Sequence, residues 1–138
     1  IFDSWAGLLP EKDLEYFVYK PIKSLVDFIK QKKTISICFP RNISNYKKFV
    51  DHVKPDIINI DYNADLSLIR DTVDITVQGG LDPKILLQNK DILKNEVTKY
   101  LKTFSKKRYI FNLGHGVLPD TNPDMVKYLV DVVRSFNG

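Results

Sequence analysis

Cysteine is almost missing from this sequence. Cys38 is the single one among 138 residues, which excludes an internal disulfide framework and any cluster built on several thiolates. Histidine is nearly as scarce, and His52 and His115 leave little material for a zinc site. Seven Pro and six Gly are too few for a collagen-like or low-complexity chain. No apolar run approaches the ~18 residues of a membrane span, and no basic-plus-apolar leader precedes a cleavage site. Neither sign of charge dominates. Lys and Arg number 21 against 17 Asp and Glu, so the net charge is only +4. The basic clusters Lys32-Lys33, Lys47-Lys48 and Lys106-Lys107-Arg108 flank apolar segments, so solvated helix ends explain them better than a phosphate-tracking stripe. Neither nucleic acid nor membrane is an expected partner.

What is present suffices for a core. The chain is 43% hydrophobic and 28% charged, which fits one globular domain or a piece of a larger one. Short apolar runs recur at 35–39, 57–60, 73–77 and 109–113. Each is rich in β-branched or aromatic types, as buried parallel strands are. Helical stripes lie between them. Ile22, Leu25, Val26, Phe28 and Ile29 follow Pro21, which reads as a first-turn residue, and are expected to face the core. Ile43, Tyr46, Phe49, Val50 and Val53 keep a spacing near 3.6 until Pro55. Leu66 and Ile69 mark a short helix. Leu93, Val97, Tyr100 and Phe104 mark another. Val126, Leu129, Val130 and Val133 follow the capping sequence Asn122-Pro123-Asp124. The opening Ile1-Phe2, without a Met, reads as the tail of a further buried strand with polypeptide upstream.

Strand and helix alternate, which predicts an α/β fold with a parallel sheet. A doubly wound sheet wants a GxGxxG turn, and Gly79-Gly80 and Gly114-x-Gly116 lack that spacing. A (β/α)8 barrel places its chemistry at the C-terminal ends of strands. Those ends carry Asp3-Ser4, Arg41, Asp61-Tyr62, Gln78-Gly79-Gly80 and Gly114-His115-Gly116. The barrel is therefore preferred. Because ~250 residues are usual for one, residues 1–138 are expected to be the C-terminal part of a single barrel domain, with the N-terminal part absent.

His115, between two glycines just past an apolar strand, is the sharpest chemical signal. Its imidazole there can donate to a carboxylate or exchange protons near neutral pH; the alternative is a turn histidine bonded to nearby carbonyls. Ser4 offers a hydroxyl to a bound anion, against the alternative of capping the next turn. Gln78-Gly79-Gly80 permits close approach of a ligand to the backbone, or serves turn geometry alone. Asp61 and Asp82 are carboxylates at strand ends, and Asp82 reads as a helix cap. Arg41 can bind a carboxylate or lie solvated. Cys38 reads as packed core and His52 as structural.

These segments resemble the uroporphyrinogen decarboxylase family. Phe2-Asp3-Ser4-Trp5-Ala6-Gly7 is similar to that family's FDSWAG segment. Asn59-Ile60-Asp61-Tyr62 sits where the family has a Leu-Asp-Trp strand end. Gln78-Gly79-Gly80-Leu81-Asp82-Pro83 resembles its QGNLDP turn, with Gly80 in place of Asn. Asn112-Leu113-Gly114-His115-Gly116 resembles its NLGHG loop. The resemblance implies a single (β/α)8 barrel acting as a cytoplasmic homodimer. The reaction it implies removes the four acetate carboxyls of uroporphyrinogen III, giving coproporphyrinogen III on the route to haem, with no metal and no organic cofactor. It implies substrate-binding roles for Ser4 and His115. The family's catalytic aspartate, arginine-rich loop and substrate tyrosine belong to its N-terminal half and have no counterpart here. The resemblance thus implies no catalytic residue in this chain and an inactive fragment. The rivals are a cobalamin-linked methyltransferase of the same superfamily, whose zinc ligands Cys38 alone does not supply, and a non-catalytic half-barrel that binds without turnover. A bare phosphate-binding barrel is weaker still.

Overall fold

Two parallel strands cannot be joined by a tight turn, so each apolar run must be followed by a crossover that returns the chain to the same edge. The computed structural model, which describes residues 1–137, follows this rule throughout. Strands β1 (Phe2–Asp3), β2 (Ile37–Pro40), β3 (Ile57–Ile60), β4 (Thr76–Gly79) and β5 (Tyr109–Ile110) form one all-parallel sheet in sequence order. Helices α1 (Glu11–Leu14), α2 (Lys20–Gln31), α3 (Tyr46–Val53), α4 (Leu66–Thr72) and α5 (Lys90–Thr103) supply the returns, and α6 (Pro123–Arg134) follows the last strand. This is the architecture of part of a (β/α)8 barrel. Among the described residues, no helix is long and apolar enough to cross a membrane.

Helix starts follow local chemistry. Asn45, Asp65, Asn89 and Asn122 each accept a backbone N–H from the first turn of the following helix. Asp82 does the same for Lys84, but the turn it caps, Pro83–Leu87, is 3-10 rather than α. Pro21 sits in the first turn of α2, as expected, but α2 is not a fresh start, because the chain is already helical from Glu11 and widens into a π-helical stretch, Glu15–Tyr19, just before Lys20. Lys20 N–H donates to the Glu15 carbonyl, five residues back. The wide turn precedes a ring that has no N–H and would crowd an ordinary α-turn.

Strand limits shift slightly. The run at 73–77 becomes a strand only from Thr76, because Val73 N–H still bonds to the Ile69 carbonyl at the end of α4. The run at 109–113 keeps two strand residues and then a single bridge, Leu81 to Leu113. At the N-terminal edge, Ser36 and Asp56 clasp β2 to β3. Asp56 accepts from the Ser36 N–H at 2.8 Å and its hydroxyl at 2.7 Å, and these bonds hold its carboxyl below the usual range.

Alternation assigns the two faces. Cys38, Ile58 and Val77 lie in register and are fully buried with Val26, Phe49, Val53, Leu93 and Val97 from the helices. The intervening positions Phe2, Ile37 and Ile110 are 84%, 38% and 42% exposed. Ile1-Phe2 does end in a strand, but Phe2 is not buried as the sequence suggested. It lies against Phe39 at 6.1 Å on the face opposite the helical core, where Phe39 and Asn59 are buried while Phe2, Ile37 and Ile110 are open. Parallel sheets are normally covered on both faces, so this bare face corresponds to a barrel interior.

Phe49→Ala, at a fully buried position, should cost about 3–5 kcal/mol in urea unfolding. Phe28→Ala, at an exposed one, should change stability by no more than about 0.5 kcal/mol. Equal effects would contradict this assignment of faces.

Candidate active-site edge

All five strands point the same way, so the segments following them gather at one edge. β1 leads into the Ser4 turn. Asp3 Oδ1 accepts the Trp5 N–H at 3.2 Å, and the following 3-10 turn, Ala6–Leu8, takes no side-chain cap. Asp3, not Ser4, therefore stabilises this turn, and the Ser4 side chain is exposed. The turn is stitched to β2 on both sides of Arg41, whose N–H donates to the Asp3 carbonyl at 3.0 Å and whose carbonyl accepts from Gly7 N–H at 2.9 Å.

The centre of the edge is rigid. Asp61, after β3, is almost fully buried and accepts from Asn42 N–H at 2.7 Å, the Tyr46 hydroxyl at 2.7 Å and Asn63 N–H at 2.8 Å. Burial, then the neighbouring Asp61 charge, pushes the Tyr46 hydroxyl well above its ordinary range, so it stays a donor. Asp61 thus ties the end of β3 to α3 and the loop before it. At the end of β4, Gly79 and the following Gly80 hold positive φ of 96° and 109°. Their carbonyls accept from the hydroxyls of Tyr109 and Tyr100, each at 2.7 Å. Burial raises the Tyr100 hydroxyl to about 12. A Cβ at Gly80 would stand 2.6 Å from the Tyr100 ring, so an Asn here would need that ring to move.

His115 follows β5. Gly114 N–H donates to the Leu81 carbonyl at 2.7 Å, and a Cβ on Gly114 would come within 2.5 Å of Tyr62 N and 3.1 Å of the Gly80 carbonyl. The loop therefore crosses the end of β4 and rests on the end of β3. His115 itself is exposed. From β3 to β1 is two strand spacings, about 10 Å, so Ser4 and the His115 loop share an edge without forming one compact pair.

Two polar residues on the bare face were not singled out as a pair by sequence reasoning. Asn59 and Gln78 are in register, and Gln78 Nε2 donates to Asn59 Oδ1 at 3.0 Å. The signal was available, since Asn59 is the one polar residue inside the run 57–60. Asp82 caps its turn as expected. Cys38 is core, and burial raises its thiol to about 11, which makes it a poor nucleophile. His52 Nδ1 donates to the Lys48 carbonyl, 2.9 Å away on its own helix, and is structural. Among the described residues, no three His, Cys, Asp or Glu side chains group closely enough to hold a metal ion. A cleft of about 350 Å³ opens between α3 and α4, lined by Asn42, Tyr46, Asp61, Asn63 and Asp65. Its two carboxylates make it a poor receptor for an anion.

The two glycines flanking His115 should respond oppositely to substitution. Gly114→Ala should cost about 1–3 kcal/mol through crowding against the end of β3. Gly116→Ala should be close to neutral in thermal unfolding, because nothing lies within 4 Å of its Cβ position. Matching melting temperatures for the two variants would contradict the loop placement.

A family model described as uroporphyrinogen decarboxylase matches residues 1–136. Curated relatives include the uroporphyrinogen decarboxylase of Rickettsia bellii (strain RML369-C), 44% identical over 140 residues, 99% of this chain and 41% of the relative. The one from Rickettsia felis (strain ATCC VR-1525 / URRWXCal2) is 41% identical over 140 residues, 99% and 40% of the two chains. The one from Rickettsia akari (strain Hartford) is 40% identical over 139 residues, 98% and 41%. The chain spans about two fifths of the length of these relatives. With the matching order of strand-end motifs, these similarities mean that the chain belongs to the uroporphyrinogen decarboxylase family.

Proposed function

We propose that this chain is the C-terminal part of a uroporphyrinogen decarboxylase. In this reading it combines with an N-terminal segment to close one (β/α)8 barrel. The whole removes the four acetate carboxyls of uroporphyrinogen III, yielding coproporphyrinogen III for haem synthesis. The observation that carries the reading is the open edge between Ser4 and the His115 loop, which rests on the end of β3. A ligand reaching both must be broad and must carry acceptors at several points on its rim. A tetrapyrrole with eight carboxylates has that form.

The chemistry divides accordingly. A pyrrole is protonated at a ring carbon, the electrons of the bond to the acetate carboxyl neutralise that cation as carbon dioxide leaves, the exocyclic methylene takes up a proton to become a methyl, and the ring carbon gives its proton back. Each cycle needs donors that hold carboxylates and a negative group that stabilises the cationic pyrrole. His115 and Ser4 supply donors. Asp61 is unsuited to the second role, because three donors already hold its carboxylate. Asp82 is engaged as a cap. In the family an aspartate of the N-terminal half faces the pyrroles, and electrostatic stabilisation of this kind is usually the largest catalytic contribution. The reading requires no metal or organic cofactor from this chain. The homodimer and the cytoplasmic location implied by the resemblance belong to the same proposal.

The test is anaerobic turnover of uroporphyrinogen by the chain alone and by the chain with its N-terminal complement. Activity is expected only in the combination, and His115→Ala should lower its kcat/KM at least about tenfold, as for loss of a hydrogen bond to a charged group. An inactive combination would overturn the proposal. Activity in the chain alone would place the catalytic acid within these residues, with Asp61 and Asp82 the first to substitute.

A further inference from the structure

We propose that Arg41 is a further substrate-binding residue of this edge, one that receives a carboxylate of the tetrapyrrole beside Ser4. The proposal rests on the functional reading above and adds a residue and a role to it. Arg41 follows β2 directly, where the register Asp3↔Pro40 continues to place it next to Ser4. Its backbone is held from both sides by the β1 segment, through the Asp3 carbonyl and the Gly7 N–H. The position of the guanidinium is therefore coupled to that of the Ser4 turn.

The side chain is half-buried, and its Nε–H is enclosed without a hydrogen-bond partner among the described residues. An enclosed donor with no acceptor costs free energy that folding does not recover, which makes it a position prepared for an arriving acceptor. The buried carboxylate after the next strand, Asp61, accepts instead from Asn42, Tyr46 and Asn63. The remaining arginines are differently placed. Arg70 forms a bidentate pair with Asp71 at 2.7 and 2.9 Å. Arg108 donates to the Asp74 carbonyl. Arg134 closes α6. All three lie toward the opposite edge, where strands begin and helices end. Arg41 is the arginine at the edge where Ser4 and His115 lie. A guanidinium there presents a planar fork of donors that matches a carboxylate, and an octacarboxylate leaves more anions to receive than Ser4 and His115 can hold.

The experiment compares wild type, Arg41→Gln and Arg41→Lys in the chain combined with its N-terminal complement, by anaerobic uroporphyrinogen kinetics and thermal unfolding. Arg41→Gln should lower kcat/KM at least about tenfold with an unchanged melting temperature. Arg41→Lys, which keeps the charge and loses the fork, should fall between the two. Arg41→Gln within twofold of wild type would overturn the role of Arg41 and leave the functional reading standing. Equal losses in both variants together with a lowered melting temperature would also overturn it, because the side chain would then serve packing. A wild-type combination without turnover would overturn the functional reading and this proposal with it.

Discussion

Parallel pairing is the constraint on which everything else here depends. Strands that run in one direction must each be returned by a crossover, so five strand ends and five following loops gather at a single edge. The returning helices pack on one face only. Register then decides the rest. The row through Cys38, Ile58 and Val77 closes the core under the helices, and the row through Phe39, Asn59, Gln78 and Ile110 is left for whatever completes the other side. A one-residue slip would exchange these rows and bury an amide pair among helices.

The edge is built to keep its shape. Three tyrosines hold it, two buried and the third half-buried: Tyr46 on Asp61, Tyr100 on the Gly80 carbonyl and Tyr109 on the Gly79 carbonyl. Burial raises all three hydroxyls, so they remain donors across the range in which an enzyme works. The glycines they secure are held in conformations that other residues rarely adopt. Ser4 and His115, by contrast, are exposed on loops carried by this frame. Fixed backbone beneath accessible donors is the arrangement that substrate positioning requires.

Much of this was legible in the sequence, and the gaps have physical causes. The strand runs and the Asn122 cap were plain because periodicity and capping are local. Pro21 marked the first turn of α2, but the helical stretch that already runs from Glu11 to Tyr19 before it leaves no sign in the proline itself. The β4 boundary moved because Val73, β-branched and apolar, serves equally well to end α4. Phe2 reads as core by residue type, yet which face of a sheet is covered depends on packing far from the residue itself. The proposed roles of Ser4 and His115 were open alternatives from residue type and position, and the family resemblance chose between them. Their shared edge needs the sheet order, and the resting of Gly114 on Tyr62 is a contact between residues far apart in the chain. Arg41 was visible only as one of two possibilities until its enclosed Nε was placed.

The central claim is that Ser4 and His115, carried by opposite edge strands, act on one ligand across the open face. Its most direct measurement is a crystal structure of the chain combined with its N-terminal complement and the tetrapyrrole product. One macrocycle on the open face, with the Ser4 hydroxyl and an imidazole nitrogen of His115 about 2.6–3.2 Å from its carboxylates, is the expected result. A product seated in the cleft between α3 and α4, or touching neither residue, would contradict the account.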